Sequence, residues 1–404
     1  MILKSDIETI VRLQAEIINS TDAGLRREAL SELPELSGHA LIITGIRRCG
    51  KSTLLYQMIK DLYPDGFYLN FDDNRLYGFE NNDFRRLDEL ISGSGKKILF
   101  FDEIQVVDGW ERYVRQKLDE KYKVVITGSN ASMLSDELGT KLTGRHISKE
   151  LFPFSYREFL QFTGSVQNEN SFSEYMSSGG FPEFLKQKRE EILSSLFDDI
   201  LVRDIVVRYG IRDIKGLQNL ALLLISNPGT LVTAGKLKQI AGISATSTVL
   251  EYFSHFSSSY LFSFIPKFSY SVKSQMINPR KVYAADTGLI TANSLSFSGD
   301  KGRRLENIVH NHIRAHFTNI CYWSEKNECD FIVSRKGKKP LLIQACYDLN
   351  MDNLDREIAG ITEAAKFFSV REGTIVTLNQ SDKFSKDGVR INVVPAGEFL
   401  AENV

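Results

Sequence analysis

One stretch constrains the fold of this 404-residue chain more than any other: Gly45-Ile46-Arg47-Arg48-Cys49-Gly50-Lys51-Ser52-Thr53. It follows the apolar run Ala40-Leu41-Ile42-Ile43-Thr44 and precedes Leu54-Leu55-Tyr56-Gln57-Met58-Ile59. The expected order is therefore strand, glycine turn, helix, and the spacing fits the phosphate-binding loop G-x-x-x-x-G-K-[ST]. Each residue type has a physical reason. Gly45 and Gly50 permit backbone geometry that a β-carbon would block. The turn aims several N–H groups at one point, at the positive end of a helix dipole, and so makes an anion site. Lys51 adds a point charge for β- and γ-phosphates, and the Ser52 hydroxyl can ligate Mg²⁺.

The region around this loop alternates strand and helix. Strands are expected at Leu41–Thr44, Gly66–Asn70, Ile98–Phe101 and Val124–Thr127. Continuous apolar runs of this kind are typical of buried parallel strands, and their alternation with helices implies a doubly wound parallel sheet. In Ile98-Leu99-Phe100-Phe101-Asp102-Glu103, a strand ends in two carboxylates, as a Walker B strand does. Ligands of such sheets bind at the carboxyl ends of the strands. Asp102 is thus a candidate Mg²⁺ ligand, and Glu103 a candidate to orient or deprotonate water. Ser129 and Asn130, after the strand Val124-Val125-Ile126-Thr127-Gly128, are candidates to sense a γ-phosphate. Arg145, in Leu142-Thr143-Gly144-Arg145-His146, is a candidate arginine finger acting in cis or in trans.

Composition adds limits. Net charge is −1, with 42% hydrophobic and 25% charged residues, so the chain as a whole has no electrostatic signature of nucleic acid or membrane. No apolar run reaches the ~18 residues of a spanning helix. The N-terminus has no signal-peptide pattern, and Cys49, Cys321, Cys329 and Cys346 lack C-x-x-C or zinc spacing, which fits free thiols in the cytoplasm.

The succession GIRRCGKST, ILFFDEIQ, VVITGSN, LTGRH and LFPFSYREFL resembles the AAA-type P-loop ATPases of the archaeal-ATPase-like group. Gly179-Gly180-Phe181-Pro182-Glu183 and Tyr283-Ala284-Ala285-Asp286-Thr287-Gly288-Leu289 match stretches typical of the same group. The resemblance spans residues 35 to 350. It implies ATP at Gly45 to Thr53, Mg²⁺ at Ser52 and Asp102, and Glu103 in hydrolysis. It also implies a winged helix and a C-terminal domain of uncharacterised function after the core. Adenine rather than guanine rests on this resemblance, since no N-K-x-D motif occurs.

The expected organisation is a helical leader at 1–36, the P-loop core at 37–150, a helical lid at 151–210, a winged helix at 211–290 and a further α/β domain at 291–404. In the leader, Leu25 to Leu30 should continue the first helix. In the winged helix, Thr233–Ala241 and Ala245–Phe256 are helices around the Gly242 turn, and Tyr260–Pro266 and Lys267–Met276 are the wing strands. Residues 211–281 carry Arg212, Lys215, Lys236, Lys238, Lys267, Lys273, Arg280 and Lys281 against Asp213 and Glu251, a balance of +6. That suits duplex DNA, read without sequence preference because the third helix offers Ser and Thr rather than Arg, Asn or Gln. A protein partner or a second copy of the chain is the alternative occupant, because winged helices also serve as protein-interaction modules. Glu306 to Ala345 resembles the PD-(D/E)XK nuclease core, with Asp330 matching its strand aspartate. Gln344-Ala345-Cys346 stands where Glu-x-Lys is expected, so a nuclease-like fold without cleavage is the expectation.

Overall fold

The computed structural model describes residues 1–130, 142, 144–295 and 300–401; Thr143 of the Gly-Arg segment lies outside them. The chain divides into two compact units, Met1–Leu151 and Phe152–Val404.

The first unit is built on strands β1 (Ala40–Thr44), β2 (Phe67–Asn70), β3 (Ile98–Asp102), β4 (Lys123–Gly128) and β5 (His146–Glu150). They form one sheet in the order β2-β3-β4-β1-β5, and every pairing is parallel. The four expected strands are present, buried on both faces because helices α1 (Lys4–Ser20), α2 (Lys51–Asp61), α3 (Phe84–Ser94) and α4 (Trp110–Asp119) supply the crossovers and cover. Ile42, Leu69, Phe101 and Ile126 meet Leu87 and Val114 in the core. Each such side chain contributes ~1.5–3 kcal/mol when fully buried. Strand β5 is the addition: its part-exposed, mostly polar sequence gives no apolar run, yet it pairs with β1 from Ala40–His146 to Thr44–Glu150.

The N-terminal segment is part of this unit. Gln14, on α1, receives the Asn70 N–H at 2.8 Å and donates to the Asp73 carboxylate at 2.9 Å. The expected helical continuation over Leu25 to Leu30 does not form. The helix stops before Thr21, residues 21–27 run without helix, and a short 3₁₀ turn occupies Glu28–Glu32. Gln57 on α2 holds the intervening segment instead, donating to the carbonyls of Ala23 and Leu25.

The second unit begins with helices Tyr156–Thr163, Glu169–Ser178, Pro182–Gln187 and Glu190–Asp199, followed by a π-helical stretch at Ile200–Val207. Ser155 starts the first by accepting from the Glu158 N–H, while Glu158 caps Ser155 in return. These helices, expected as a separate lid, belong to the same compact unit as the C-terminal residues. One join is explicit: Asp286 accepts from the Gly180 N–H at 2.7 Å and the Gly288 N–H at 2.8 Å.

Strands β6 (Leu231–Val232), β7 (Phe262–Pro266) and β8 (Arg280–Ala284) form an antiparallel sheet ordered β6-β8-β7. Helices Ile214–Ile225, Ala234–Ala241 and Thr246–Ser258 accompany it, the last two where Thr233–Ala241 and Ala245–Phe256 were expected. The second strand expected here does not form where the sequence put it. Lys267–Met276 is not a strand; Val272–Ile277 is a short helix whose Ser271 cap accepts from the Ser274 N–H, and the pairing passes to Arg280–Ala284. Serines at 269, 271 and 274 favour such local bonds over a ladder.

Strands β9 (Ile320–Ser324), β10 (Glu328–Arg335), β11 (Lys338–Ala345), β12 (Glu372–Thr377), β13 (Asp382–Lys386) and β14 (Val389–Pro395) form a mixed sheet ordered β13-β14-β12-β11-β10-β9. Helix Leu354–Phe368 packs on one face, with Ile358, Ile361 and Ala365 against Ile332, Ile375 and Ile391.

His310, on helix Lys301–His316, is fully buried and stacks on Tyr283 with ring centroids 4.1 Å apart. Burial pushes its pKa down to about 3 from an ordinary 6.5, with Asn311 pulling the other way. The folded chain thus refuses a proton that the unfolded chain accepts. Its stabilising contribution is whole above pH 6.5 and is lost as pH falls toward 3, at ~1.4 kcal/mol per pH unit. Denaturant midpoints measured across this range should fall with pH in the wild type. The difference between wild type and His310→Phe, which keeps the ring stack, should carry that slope.

Candidate nucleotide site

The loop after β1 turns tightly because its glycines allow it. Gly45 has φ 143°, and a β-carbon there would stand 2.2 Å from the Leu151 carbonyl oxygen. Gly50 has φ 104° and opens α2 as its N-cap. Lys51, the first residue of α2, is buried and folds back, donating to the Gly45 and Ile46 carbonyls at 3.1 Å each. The loop is braced from outside. Arg27 Nη1 donates to the Cys49 carbonyl at 2.8 Å, and the Arg27 N–H is held by Gln57 Oε1 at 3.0 Å. Cys49 is buried, which raises its thiol pKa against the pull of Lys51 and Arg27. An inert thiol fits a packing role.

Asp102 ends β3 at the same edge of the sheet. It is fully buried; Oδ2 accepts from the Tyr68 hydroxyl at 2.8 Å and Oδ1 from the Thr127 hydroxyl. Thr127 also accepts the Glu103 N–H at 3.0 Å. Burial and the Asp102 anion hold Tyr68 protonated well above its ordinary range, so the phenol stays a donor. Glu103 adopts φ 51°, a left-handed conformation uncommon for a glutamate, and its carboxylate accepts from the Gln105 amide. Burial raises the Glu103 pKa; Lys51 lowers it, Asp102 raises it, and Gln105 and Arg47 lower it. The pull from Lys51 places the loop ammonium in the electrostatic environment of Glu103.

Strand β4 lies between β1 and β3, and beyond it Ser129 and Asn130 are buried. The structure therefore brings Gly45 to Thr53, Asp102, Glu103, Ser129 and Asn130 to one end of one sheet. Ser52 sits half-buried in the first turn of α2.

Arg145 is elsewhere. It immediately precedes β5, and its carbonyl accepts the Ala40 N–H at the start of β1. The phosphate loop follows the other end of β1, so a five-residue strand, ~15 Å, separates them. Arg145 pairs instead with Asp119 at 2.7 Å. That register sets Arg145 apart from this chain's own phosphate loop, against the in-cis alternative, and does not bear on the in-trans one.

Tyr68, Thr127, Arg27 and Gln57 were not singled out from sequence. A threonine within the apolar β4 run was the available signal for Thr127. Arg27 and Gln57 carry no local pattern.

The fit for a nucleotide rests on the loop's shape: a β-carbon at Gly45 would collide with backbone, while Lys51 and buried Asp102 supply opposite charges at one edge. Among the described residues, no helix is long and apolar enough to cross a membrane.

Residues 37–160 match the model of an AAA domain, and residues 169–299 match a domain of unknown function (DUF8612). The chain is 32% identical over 410 aligned positions to the uncharacterized protein MJ1544 of Methanocaldococcus jannaschii, covering 94% of this chain and 92% of that one. It is 32% identical to an uncharacterized protein of Haemophilus influenzae, covering 76% of this chain and 82% of the relative. Among solved structures, C. elegans PCH-2 is a distant likeness at 14% identity and a TM-score of 0.24, covering 62% of this chain and 68% of that one.

Proposed function

Because the chain belongs to the family of protein MJ1544 and carries an AAA domain, we propose that it is a Mg²⁺-dependent ATPase. The observation that carries this reading is the meeting of the β1 loop, the Asp102-Glu103 end of β3 and the Asn130 end of β4 at one sheet edge.

In this reading the loop amides and Lys51 bind the phosphates, exchanging the Gly45 and Ile46 carbonyls for phosphate oxygens. Ser52 and Asp102 would hold Mg²⁺, which supplies charge neutralisation at the β- and γ-phosphates. Tyr68 and Thr127 fix the Asp102 carboxylate. Glu103 orients water and takes its proton, and burial, which raises its pKa, makes it a stronger base than an exposed glutamate. Asn130 or Ser129 would sense the γ-phosphate in this reading.

Glu103→Gln should retain ATP binding and lose turnover by ~10²–10⁴-fold. Phosphate release and equilibrium binding measured on the same variant check both halves. Unchanged turnover would exclude Glu103 as the base.

A second reading, a nucleotide-gated switch with little turnover, is favoured by the Gln105 amide, which occupies the Glu103 carboxylate. Turnover titrated with duplex DNA separates the two readings: a stimulated rate supports a DNA-dependent ATPase, a flat near-zero rate the switch. We assign the winged-helix role to residues 211–290 and the nuclease-like role, without cleavage, to residues 291–404. The basic surface offered to DNA is smaller than the +6 balance suggests. Lys281 is buried in ion pairs and Lys267 pairs with Glu325 at 2.9 Å. Gln344 is likewise taken up internally, accepting from the Asp330 N–H at 3.0 Å and donating to Glu357 at 2.7 Å.

A further inference from the structure

The carboxylates of the second unit that resemble nuclease metal ligands already have a cation. Asp330 on β10 and Glu306 on helix Lys301–His316 converge on the ammonium of Lys281, at 2.7 and 3.0 Å, and Glu328 joins them at 2.7 Å. Lys281 comes from β8, in the three-stranded sheet, so the charge arrives from outside the six-stranded sheet it satisfies. Its side chain is 3% exposed, against 6% for Asp330 and 14% for Glu306. An ammonium this deep persists only if its partners offset its lost hydration.

The surroundings are arranged for that ammonium. The second oxygen of Asp330 accepts the Ala345 N–H at 2.9 Å, and Glu306 accepts from the Tyr283 hydroxyl at 2.7 Å. Three oxygens at 2.7–3.0 Å are at ammonium distance, longer than the ~2.0–2.1 Å that Mg²⁺ demands. Among the described residues, no set of three or more His, Cys, Asp or Glu side chains is arranged to hold a metal ion.

We propose that Lys281 is the resident cation of this centre: its ammonium fills the position that a divalent metal takes in the fold the domain resembles, and it docks the three-stranded sheet onto the six-stranded one. The ion pairs stand by themselves, and only the comparison with a metal centre rests on the nuclease-like reading.

The test is Mn²⁺ binding to the full, nucleotide-free chain, followed by the electron paramagnetic resonance of free Mn²⁺. Wild type, Lys281→Ala and the double variant Lys281→Ala/Asp330→Asn share the same phosphate loop, so any ion held there cancels. Lys281→Ala should bind one Mn²⁺ more than wild type and gain a Mn²⁺-dependent rise in Tm, and the double variant should lose both. A folded Lys281→Ala chain with no additional Mn²⁺ overturns the inference. Should Lys281→Ala not fold, Lys281→Val, which suits a strand and still vacates the ammonium position, is read identically. The nuclease-like reading has its own test: DNA cleavage by the wild type would sink its inactive form whatever the Mn²⁺ titration shows.

Discussion

A Lys51→Ala chain is expected to lose roughly 10- to 100-fold in ATP affinity, from ~1.5–3 kcal/mol of charge-assisted bonding, and to fall to background turnover. Two effects add. The variant lacks the ammonium that neutralises phosphate charge, where loss of a single donor costs ~10²–10³-fold in rate. It also removes the positive neighbour that opposes the burial of Glu103. The carboxyl pKa then moves further up, so the acid limb of whatever rate remains shifts to higher pH. Lys51→Arg should not rescue, because a planar fork cannot occupy the space between the Gly45 and Ile46 carbonyls as a compact ammonium does. Titration with a fluorescent ATP analogue and a phosphate-release profile against pH measure these effects. Wild-type affinity in Lys51→Ala would sink the nucleotide assignment.

The second large effect should be on stability. Asp286→Ala strips the acceptor from the Gly180 and Gly288 N–H groups, in a place water does not reach. Each orphaned buried donor costs about 1–3 kcal/mol, so a loss on the order of 4 kcal/mol is expected for the second unit. The site has no slack for repair. A β-carbon on Gly179, whose φ is 67°, would lie 1.8 Å from Asp286 Oδ1, and one on Gly288 would lie 2.3 Å from the Ser178 carbonyl oxygen. Thermal unfolding of the variant should show an early transition for residues 152–401, with the nucleotide affinity of the first unit retained. A Tm within a degree of wild type would remove Asp286 from this role.

The legible parts of the fold were those whose signal is local. Strands β1 to β4 are buried on both faces and so announce themselves as apolar runs. The phosphate loop and the Asp102-Glu103 end follow from spacing alone. Strand β5 was hidden because an edge strand of His146, Ser148, Lys149 and Glu150 around a single exposed Ile147 makes no apolar run. Its register, in turn, is what moves Arg145 to the wrong end of β1. Lys267–Met276 resembled a strand in composition, but its serines make local bonds first. The contact of Asp286 with Gly180 joins two recognisable motifs across 106 residues, and neither motif names the other. Lys281 was counted as surface charge because a lysine gives no sign, in sequence, that three carboxylates will surround it.

The bracing of the phosphate loop by Arg27 has a consequence for where this module begins. Residues recognisable as an AAA domain start at 37, yet the side chain that fixes the Cys49 carbonyl lies ten positions upstream. Residues 23–27 are thus tied to α2 through Gln57 and to the loop backbone through Arg27, so the loop is held from a segment that carries none of its motif residues. A chain trimmed to the recognisable boundary would keep every motif residue and lose the part that tells them where to stand.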